Sequence, residues 1–441
     1  MSMPEAWHEP PSSLGAGTSY RGIVPENASP LLSGLTGLPT RPGALSGVVV
    51  LDLSRVLAGP YAGQMLADFG ATVIKVENPR DPDVTRGFPP YLRSGDEEFS
   101  GYFTQYNRGK LAITLDFATE GGKQALLDLV PHADVLLENF RPGTMEKLGL
   151  GYDVLAAINP RLVYTAISGY GRTGSRSTRP AFDSTAQAAG GLWSMNGEPG
   201  GIPLRLGVTI GDLAATLFAI TGTLLALRHA ESTGEGQVVD VAQVDSVIAL
   251  TETAVVDYTV DGKIAKPSGN AHAWVRPYEL FPCADGHVFF GAYTDKLWRA
   301  ACTVFGEPEL ADDPEIDTMR KRFDEEVYAR RVRPVVVRWL AQYTGEQLEA
   351  MASDLLPITL VRTIDQVVDD PGTAERDMVV TVDQPGFGPV RIFGQPVKLG
   401  ATPAEPTRPA PGIGQHTVAV LRGIAGYPDE RLAELRAAGA I

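Results

Sequence analysis

Cysteine is scarce in this sequence: Cys283 and Cys302 are the only two in 441 residues. They cannot build the disulfide framework typical of secreted domains, so they favour free thiols in a reducing cytoplasm. The six histidines stand apart, and none is paired at the i, i+4 spacing of a helical zinc motif. The sequence therefore predicts no metal site.

Basic residues are outnumbered, since 38 Lys and Arg face 53 Asp and Glu, giving a net charge of −15. This balance argues against a nucleic-acid partner, but a small anionic ligand needs only a local basic pocket. No uninterrupted apolar run approaches the roughly 18 residues of a membrane span. The opening stretch MSMPEAWHEPPSSLGAG lacks the basic and apolar regions of a signal peptide. We therefore expect a cytoplasmic protein without a membrane partner.

Composition divides the chain into four parts. Residues 1–45 are rich in Pro, Gly and Ser and predict an irregular arm. Residues 46–262 alternate apolar strands with helices. Residues 263–380 combine short strands with charged helices, which is typical of a smaller α+β domain. Residues 381–441 are first Pro-rich and then helical, and we expect them to return to the larger domain.

Non-alternating apolar runs separated by helical segments predict an α/β fold with a mostly parallel sheet covered on both faces. The predicted strands of this sheet include 48–54, 72–78, 111–117, 134–140, 161–171 and part of 233–242.

Ligands bind beyond the carboxyl ends of the strands in such a sheet. The segment VLAGPYAG (56–63) follows the first strand but is not the G-x-G-x-x-G fingerprint of a nicotinamide site, although Glu77 could mimic the ribose-binding acid. The segment ENFRPG (138–143) follows another strand. Asn139, Arg141, Lys147 and Arg179 could meet a phosphate or an amide there, or form only a solvated basic rim.

The chain from residue 46 to 261 resembles the class III CoA-transferases, a family that includes formyl-CoA transferase, carnitine CoA-transferase and α-methylacyl-CoA racemase. The similar segments are ordered and collinear, and PVKLGATPAEPTRPAPGIGQHT resembles the family's closing segment. They include VLDLSRVLAGPYAGQMLADFGATVIKVEN, NRGKLAITLDFATEGG, ADVLLENFRPG, FDSTAQAAGGLWSMNGEPGG, GDLAATLFAITGTLLAL and TGEGQVVDVAQVDS.

The resemblance gives Asp212 a role beyond its local context. In RLGVTIGDLAATLFA (205–219) an aspartate before an apolar helix is suited to be its N-cap. In the family the aspartate of this GD element is catalytic. A carboxylate attacking an acyl-CoA forms a mixed anhydride, which is at least as activated as a thioester, so exchange runs near equilibrium. Backbone N–H groups of the 211–214 turn are candidates for stabilising the oxyanions.

One position separates transferases from racemases in this family. The racemases carry Gly-His-Asp where this chain has AFD, so Phe182 stands in place of the histidine. Racemisation by two bases needs a proton acceptor on each face of the α-carbon, and Phe182 cannot be one. The sequence thus favours a CoA-transferase over an acyl-CoA racemase.

The resemblance implies CoA contacts at nine positions: Val56, Leu57, Ala58, Asn78, Leu115, Asn139, Phe140, Arg141 and Lys147. It implies substrate-pocket positions at Tyr102, Arg179, Phe182 and Asp183. Asn78 and Ala118 depart from the family's nucleotide-end arginine and lysine. Leu57 replaces a glutamine of formyl-CoA transferase, which argues against formyl or oxalate specificity.

The resemblance also implies a Rossmann-like large domain, an interlocked homodimer, and CoA thioesters as substrates with no prosthetic group. Succinyl-CoA is a common donor in the family, and the segment PSGNAH (267–272) is the counterpart of a glycine-rich loop. A nicotinamide oxidoreductase and a CoA-binding protein without catalysis remain as alternatives.

Overall fold

The computed structural model describes Leu32 and residues 34–441, so most of the expected N-terminal arm lies outside the described residues. The strands are β1 Val49–Asp52, β2 Thr72–Glu77, β3 Tyr91–Ser94, β4 Glu97–Ser100, β5 Leu111–Thr114, β6 Val135–Glu138, β7 Val163–Ser168, β8 Val238–Ala242, β9 Tyr278–Pro282, β10 His287–Gly291, β11 Ile358–Leu360, β12 Val379–Gln384 and β13 Gly388–Phe393.

The α-helices are α1 Ala58–Asp68, α2 Gly101–Asn107, α3 Glu120–Leu129, α4 Thr144–Lys147, α5 Tyr152–Ile158, α6 Asp183–Ala189, α7 Leu192–Met195, α8 Ile210–Thr233, α9 Gln243–Ala249, α10 Ala254–Asp261, α11 Asp295–Val304, α12 Met319–Arg322, α13 Glu325–Val327, α14 Arg333–Leu340, α15 Gly345–Ala352, α16 Ile364–Asp369, α17 Pro371–Glu375, α18 Thr417–Gly423 and α19 Asp429–Ala437.

Six strands form one sheet in the order β5-β2-β1-β6-β7-β8, and every neighbouring pair in it is parallel. The expected α/β fold with a parallel central sheet is confirmed. The chain runs outward from β1 in one direction and then restarts at β6 on the other side. This is the strand order of the doubly wound nucleotide-binding fold, and a crevice opens where the order reverses.

Apolar helices cover both faces of this sheet, because parallel strands expose apolar side chains on each side. On one face α1 and α8 pack small residues such as Ala62 and Ala219 against the strands. On the other face α3 packs together with the last two helices of the chain through Val420 and Leu435. The C-terminal segment is also fixed to β5, where the His416 N–H donates to the Ala112 carbonyl at 2.8 Å.

A second apolar cluster surrounds the antiparallel sheet β11-β10-β9. Trp298 on α11 and Trp339 on α14 are almost fully buried there, with ring centroids 5.6 Å apart. The hairpin β12–β13 follows this cluster in the chain. It packs against α2, where the rings of Tyr106 and Phe393 lie 5.9 Å apart.

Helix α8 is the longest helix among the described residues and is strongly apolar. By length and composition alone it is apolar enough to cross a membrane, and it is the one such helix among the described residues. The core helix of a globular domain passes the same test. One side of α8 lies on the central sheet, where Thr223 Oγ1 and Thr165 Oγ1 are 2.7 Å apart.

Candidate active site

A cleft of about 380 Å³ lies outside the carboxyl ends of β1, β6 and β7, at the point where the strand order reverses. Loops after these strands and the first turns of α6, α8 and α9 form its walls. The lining residues are Arg55, Val56, Leu57, Ala58, Asn139, Phe140, Arg141, Pro142, Ile167, Ser168, Gly169, Arg179, Ala181, Phe182, Asp183, Ser184, Arg205, Thr209, Asp212 and Gln243.

The turn between β1 and α1 is held in a strained shape. Val56 has a φ of +70°, which β-branched residues rarely adopt and which surrounding contacts must enforce. The Asp83 carboxylate accepts from the Val56 N–H at 3.3 Å, and the buried Lys75 ammonium contacts both Asp83 and the Ser54 carbonyl at 2.9 Å. Gly59 is required next, because a Cβ there would overlap the Ser54 side chain. The cleft therefore has a rigid floor.

Asn139 joins the two strand ends at the reversal point. Its Oδ1 accepts from the Arg55 N–H at 2.8 Å, and its Nδ2 donates to the Arg55 carbonyl at 2.7 Å. The side chain expected to contact CoA is thus engaged with the protein backbone at both polar atoms. Asn139 positions the loop after β1, while the neighbouring Phe140 and Arg141 line the cleft.

Asp212 lies in the first turn of α8, but it does not cap the helix. Thr209 occupies the N-cap position and Asp212 is the third helical residue. Asp183 instead satisfies a free donor at this helix end, since its Oδ1 accepts from the Gly211 N–H at 2.8 Å. The capping interpretation of Asp212 is therefore wrong, and its carboxylate is left to line the cleft.

Gln243 fixes the orientation of the Asp212 carboxylate. It is the first residue of α9, is 8% exposed, and its Nε2 donates to Asp212 Oδ1. Asp212 Oδ2 has no hydrogen-bond partner among the described residues. One carboxylate oxygen is thus held by the protein and the other is free to react.

Burial and, to a lesser extent, the negative charge of Asp183 raise the pKa of Asp212 to about 7, although the hydrogen bond from Gln243 acts to lower it. A carboxylate held out of water beside a second carboxylate carries weakly compensated charge, which makes it a stronger nucleophile than an ordinary aspartate.

Four arginines line the cleft: Arg55, Arg141, Arg179 and Arg205. They give this region a positive character within a chain of net charge −15. Arg55 is engaged with Asp81 at 2.8 Å and with the Pro82 carbonyl at 2.7 Å. The side chains of Arg141 and Arg179 make no ion pair within residues 34–441.

A second cavity of about 260 Å³ adjoins the cleft through two shared wall residues, Arg55 and Phe140. It lies beyond the ends of β2 and β5 and is lined by Asn78, Phe117 and Ala118 among others. The Asn78 carbonyl Oδ1 accepts from the Arg80 N–H at 2.9 Å, so Asn78 is partly engaged locally.

The other predicted positions are spread around these two cavities. Leu115 is fully buried in the core and lines neither cavity. Lys147 on α4 is exposed and lines neither cavity. Tyr102 packs edge-on against Tyr106 at 5.0 Å, and burial with the nearby charges of Asp212 and Asp83 raises its pKa. Phe182 is 80% exposed at the cleft wall.

Residues 267–272, the expected counterpart of a glycine-rich loop, lie outside the lining of the cleft. The Gly269 N–H in this segment donates to the Gly197 carbonyl at 3.0 Å.

Two residues that line the cleft, Gln243 and Arg205, were not predicted from the sequence. A polar residue directly after β8, at the carboxyl edge of the sheet, is the signal that would have indicated Gln243.

Comparison with known proteins agrees with this geometry. Residues 45–417 match the model of CoA-transferase family III. The chain is 40% identical to succinyl-CoA:mesaconate CoA-transferase of Haloarcula hispanica, over 86% of this chain and 96% of that protein. It is 36% identical to succinyl-CoA–D-citramalate CoA-transferase of Chloroflexus aurantiacus, over 90% and 98%.

A crystal structure of a CaiB/BaiF family protein from Brucella suis superposes with a TM-score of 0.76 and 32% sequence identity, covering 87% of this chain and all of that one. The family model covers most of the chain and the relatives are matched over almost their full length. This chain belongs to CoA-transferase family III, and it is an enzyme that moves coenzyme A from an acyl-CoA to a carboxylic acid.

Proposed function

We propose that Asp212 is the nucleophile of a CoA transfer from succinyl-CoA to a dicarboxylic acid. One observation carries this role. The Asp212 carboxylate lines the cleft at the strand-order reversal, with Oδ1 held by Gln243 and Oδ2 without a hydrogen-bond partner in the described part of the chain. A nucleophile fixed by a neighbour and open on one side is what an attack on a bound thioester requires.

The cycle uses carboxylate chemistry throughout. Asp212 attacks the thioester carbonyl, the C–S bond breaks, and an acyl-aspartyl anhydride and CoA thiolate form. The thiolate then attacks the Asp212 carbonyl, releasing the donor acid and leaving an aspartyl-CoA thioester. The acceptor carboxylate displaces the thiolate to form a second anhydride. Thiolate attack on the acceptor acyl carbon regenerates Asp212, so no metal or redox group takes part.

Backbone donors for the oxyanions come from α1 in this proposal. The Gly211 N–H at the start of α8 is taken by Asp183, which removes it from the expected 211–214 set. The N–H groups of Leu57, Ala58 and Gly59 have no acceptor within the described part of the chain, and Leu57 and Ala58 line the cleft. Thr216 Oγ1 donates to the Ala58 carbonyl at 2.9 Å, which ties this helix end to the helix of Asp212.

CoA is placed along the two adjoining cavities. The thioester lies beside Asp212, and the pantetheine chain passes Val56, Leu57 and Phe140. The nucleotide end occupies the cavity beside Asn78 and Ala118. The exposed cations Arg141 and Lys147 are suited to the phosphates at the rim.

The choice of acids follows the relatives. The two named above transfer CoA from succinyl-CoA, and their named acceptors, mesaconate and D-citramalate, are dicarboxylic acids. We expect the purified protein to form acyl-CoA and free succinate from succinyl-CoA with at least one dicarboxylic acid among mesaconate, citramalate and glutarate. Mass spectrometry of the CoA esters measures this.

The same reactions run in deuterated water separate the racemase alternative. Phe182 provides no proton acceptor, so α-deuterium should not enter a 2-methylacyl-CoA. Deuterium incorporation without CoA transfer would contradict the proposed function.

We also propose that two copies assemble into a homodimer. Helix α8 is apolar all round, and the side turned from the sheet exposes Leu217, Phe218, Leu224 and Leu225. Helix α10 exposes Val255, Val256, Tyr258 and Val260. Apolar patches of this extent on a soluble chain mark interfaces.

Light scattering after gel filtration should give twice the chain mass of 47.1 kDa. Leu225→Glu should shift the protein towards the monomer or aggregates, since it puts a charge into the apolar patch. Val154→Glu, which puts the same charge on an exposed apolar residue outside α8 and α10, is the matched control. A monomeric wild type at micromolar concentration would overturn this proposal.

A further inference from the structure

Arg205 is a charged residue of the cleft whose guanidinium lies near the Asp183 carboxylate without forming a hydrogen bond to it. Its Nη2 lies 3.9 Å from Asp183 Oδ2, beyond hydrogen-bond distance. Both Asp183 oxygens are already used, since Oδ1 accepts from Gly211 and Oδ2 accepts from Gln187 Nε2 at 2.8 Å. Among the described residues, Arg205 makes one weak hydrogen bond, from Nε to Ser184 Oγ at 3.4 Å.

The terminal nitrogens of Arg205 therefore have no acceptor in the described residues, although they line a cleft. A guanidinium presents a planar fork that matches a carboxylate, and an unfilled fork at a ligand site is suited to an anionic ligand group. By contrast, both terminal nitrogens of the Arg55 guanidinium donate to the Asp81 carboxylate.

The position of Arg205 indicates which anion it takes. Arg55 lies where the cleft adjoins the second cavity, so it belongs to the nucleotide side. Arg205 lies on the α6 side, beside the Asp183 carboxylate that holds the first turn of α8 and hence Asp212. It is thus on the acyl side of the reacting carboxylate, where a second acid group of the acyl chain would extend.

We propose that Arg205 binds the distal carboxylate of the acyl group and so selects dicarboxylic over monocarboxylic acids. This inference rests on the proposed function, because it assumes that the acyl carbon reacts at Asp212. Arg205 acts on specificity and takes no part in bond making.

The test compares two acceptors of matched length, glutarate and pentanoate, which differ by a carboxylate in place of a methyl group. Arg205→Gln should lower kcat/KM for glutarate about tenfold to thirtyfold more than it lowers kcat/KM for pentanoate, as expected for one exposed charge-assisted contact. Arg205→Lys should recover part of the difference, since it keeps the charge without the fork. Arg176→Gln, in the exposed loop before Arg179 and outside the cleft lining, is the matched control.

Each other outcome is decisive. If Arg205→Gln lowers both acceptors equally, or weakens every acyl-CoA donor alike, the residue supports the fold or the CoA phosphates, and the inference is overturned. If Arg205→Gln lowers kcat/KM for neither acceptor, another group binds the distal carboxylate, and the inference is overturned as well. A wild type that transfers CoA to neither acid and to no other dicarboxylate would count against the proposed function itself.

Discussion

Asp212→Asn lowers CoA transfer by about 10,000-fold or more, as loss of a covalent nucleophile does in other enzymes. The amide keeps the shape of the side chain and its place in the first turn of α8. It cannot form the anhydride, because an amide nitrogen or oxygen at this position does not displace a thiolate. Steady-state transfer between succinyl-CoA and an accepted acid measures the loss.

Folding of this variant is checked through its stability. Burial raises the pKa of Asp212 in the folded protein from an ordinary 3.8 to about 7. Between these values the folded chain holds a proton that the unfolded chain has lost, so the wild type loses stability as pH rises through this window. The neutral amide has no such loss. Asp212→Asn should therefore unfold at the same temperature as the wild type, or higher, at pH 8, with a smaller difference at pH 5. A folded variant that keeps more than about 1% of transfer would contradict a nucleophilic role.

The kcat/KM for the acyl-CoA donor falls about tenfold for each pH unit below 7. This ratio reports the free enzyme and the donor, so protonation of the acceptor acid does not enter. Only ionised Asp212 attacks the thioester, and its pKa of about 7 places the midpoint of the acid limb near neutral pH. Tyr102 and Tyr106 also face this region, but burial raises the pKa of both phenols, so they stay protonated throughout.

Gln243→Leu tests the cause of this profile. The leucine side chain cannot donate the hydrogen bond by which Gln243 favours the ionised form of Asp212. The midpoint of the acid limb should therefore move up by about one pH unit. A change that only loosened the fold would lower activity at every pH without moving the midpoint. A midpoint near pH 4 in the wild type would contradict this prediction, because it would show that the pKa of the attacking carboxylate is not raised.

The strands of the central sheet could be predicted from sequence because each is a short apolar run that parallel pairing buries on both faces. Val49–Asp52 and Val163–Ser168 illustrate this, since every residue in both strands is buried. The position of the cleft could be predicted from the same strand pattern, because ligands bind at the carboxyl edge of a parallel sheet.

The partners of Asp212 could not be predicted, because they come from distant parts of the chain. Asp183 lies 28 residues before Gly211, whose N–H it binds, and Gln243 lies 31 residues after Asp212. Local pattern assigned the cap to the nearest carboxylate, and tertiary packing gave that contact to Asp183. The CoA contact that the family resemblance implies at Leu115 was similarly placed without knowledge of packing, and the C-terminal helices help to bury this side chain.

Helix α8 shows a limit of counting apolar runs. Thr216, Thr221, Gly222 and Thr223 interrupt the run, so no long uninterrupted stretch is visible. These residues are nevertheless compatible with a helix that is apolar all round, because their hydroxyl groups find backbone acceptors. Thr221 donates to the Leu217 carbonyl four residues earlier at 2.9 Å, and Thr216 Oγ1 lies 2.9 Å from both the Asp212 and the Ala58 carbonyl oxygens.

Chemical trapping of the acyl-enzyme intermediate shows directly whether Asp212 is the nucleophile. The protein is incubated with succinyl-CoA, quenched with hydroxylamine, digested and examined by peptide mass spectrometry. We expect a hydroxamate on Asp212 that forms only when an acyl-CoA is present and is absent from Asp212→Asn. An unmodified Asp212 in protein that is actively transferring CoA, or a hydroxamate on another carboxylate, would contradict this expectation.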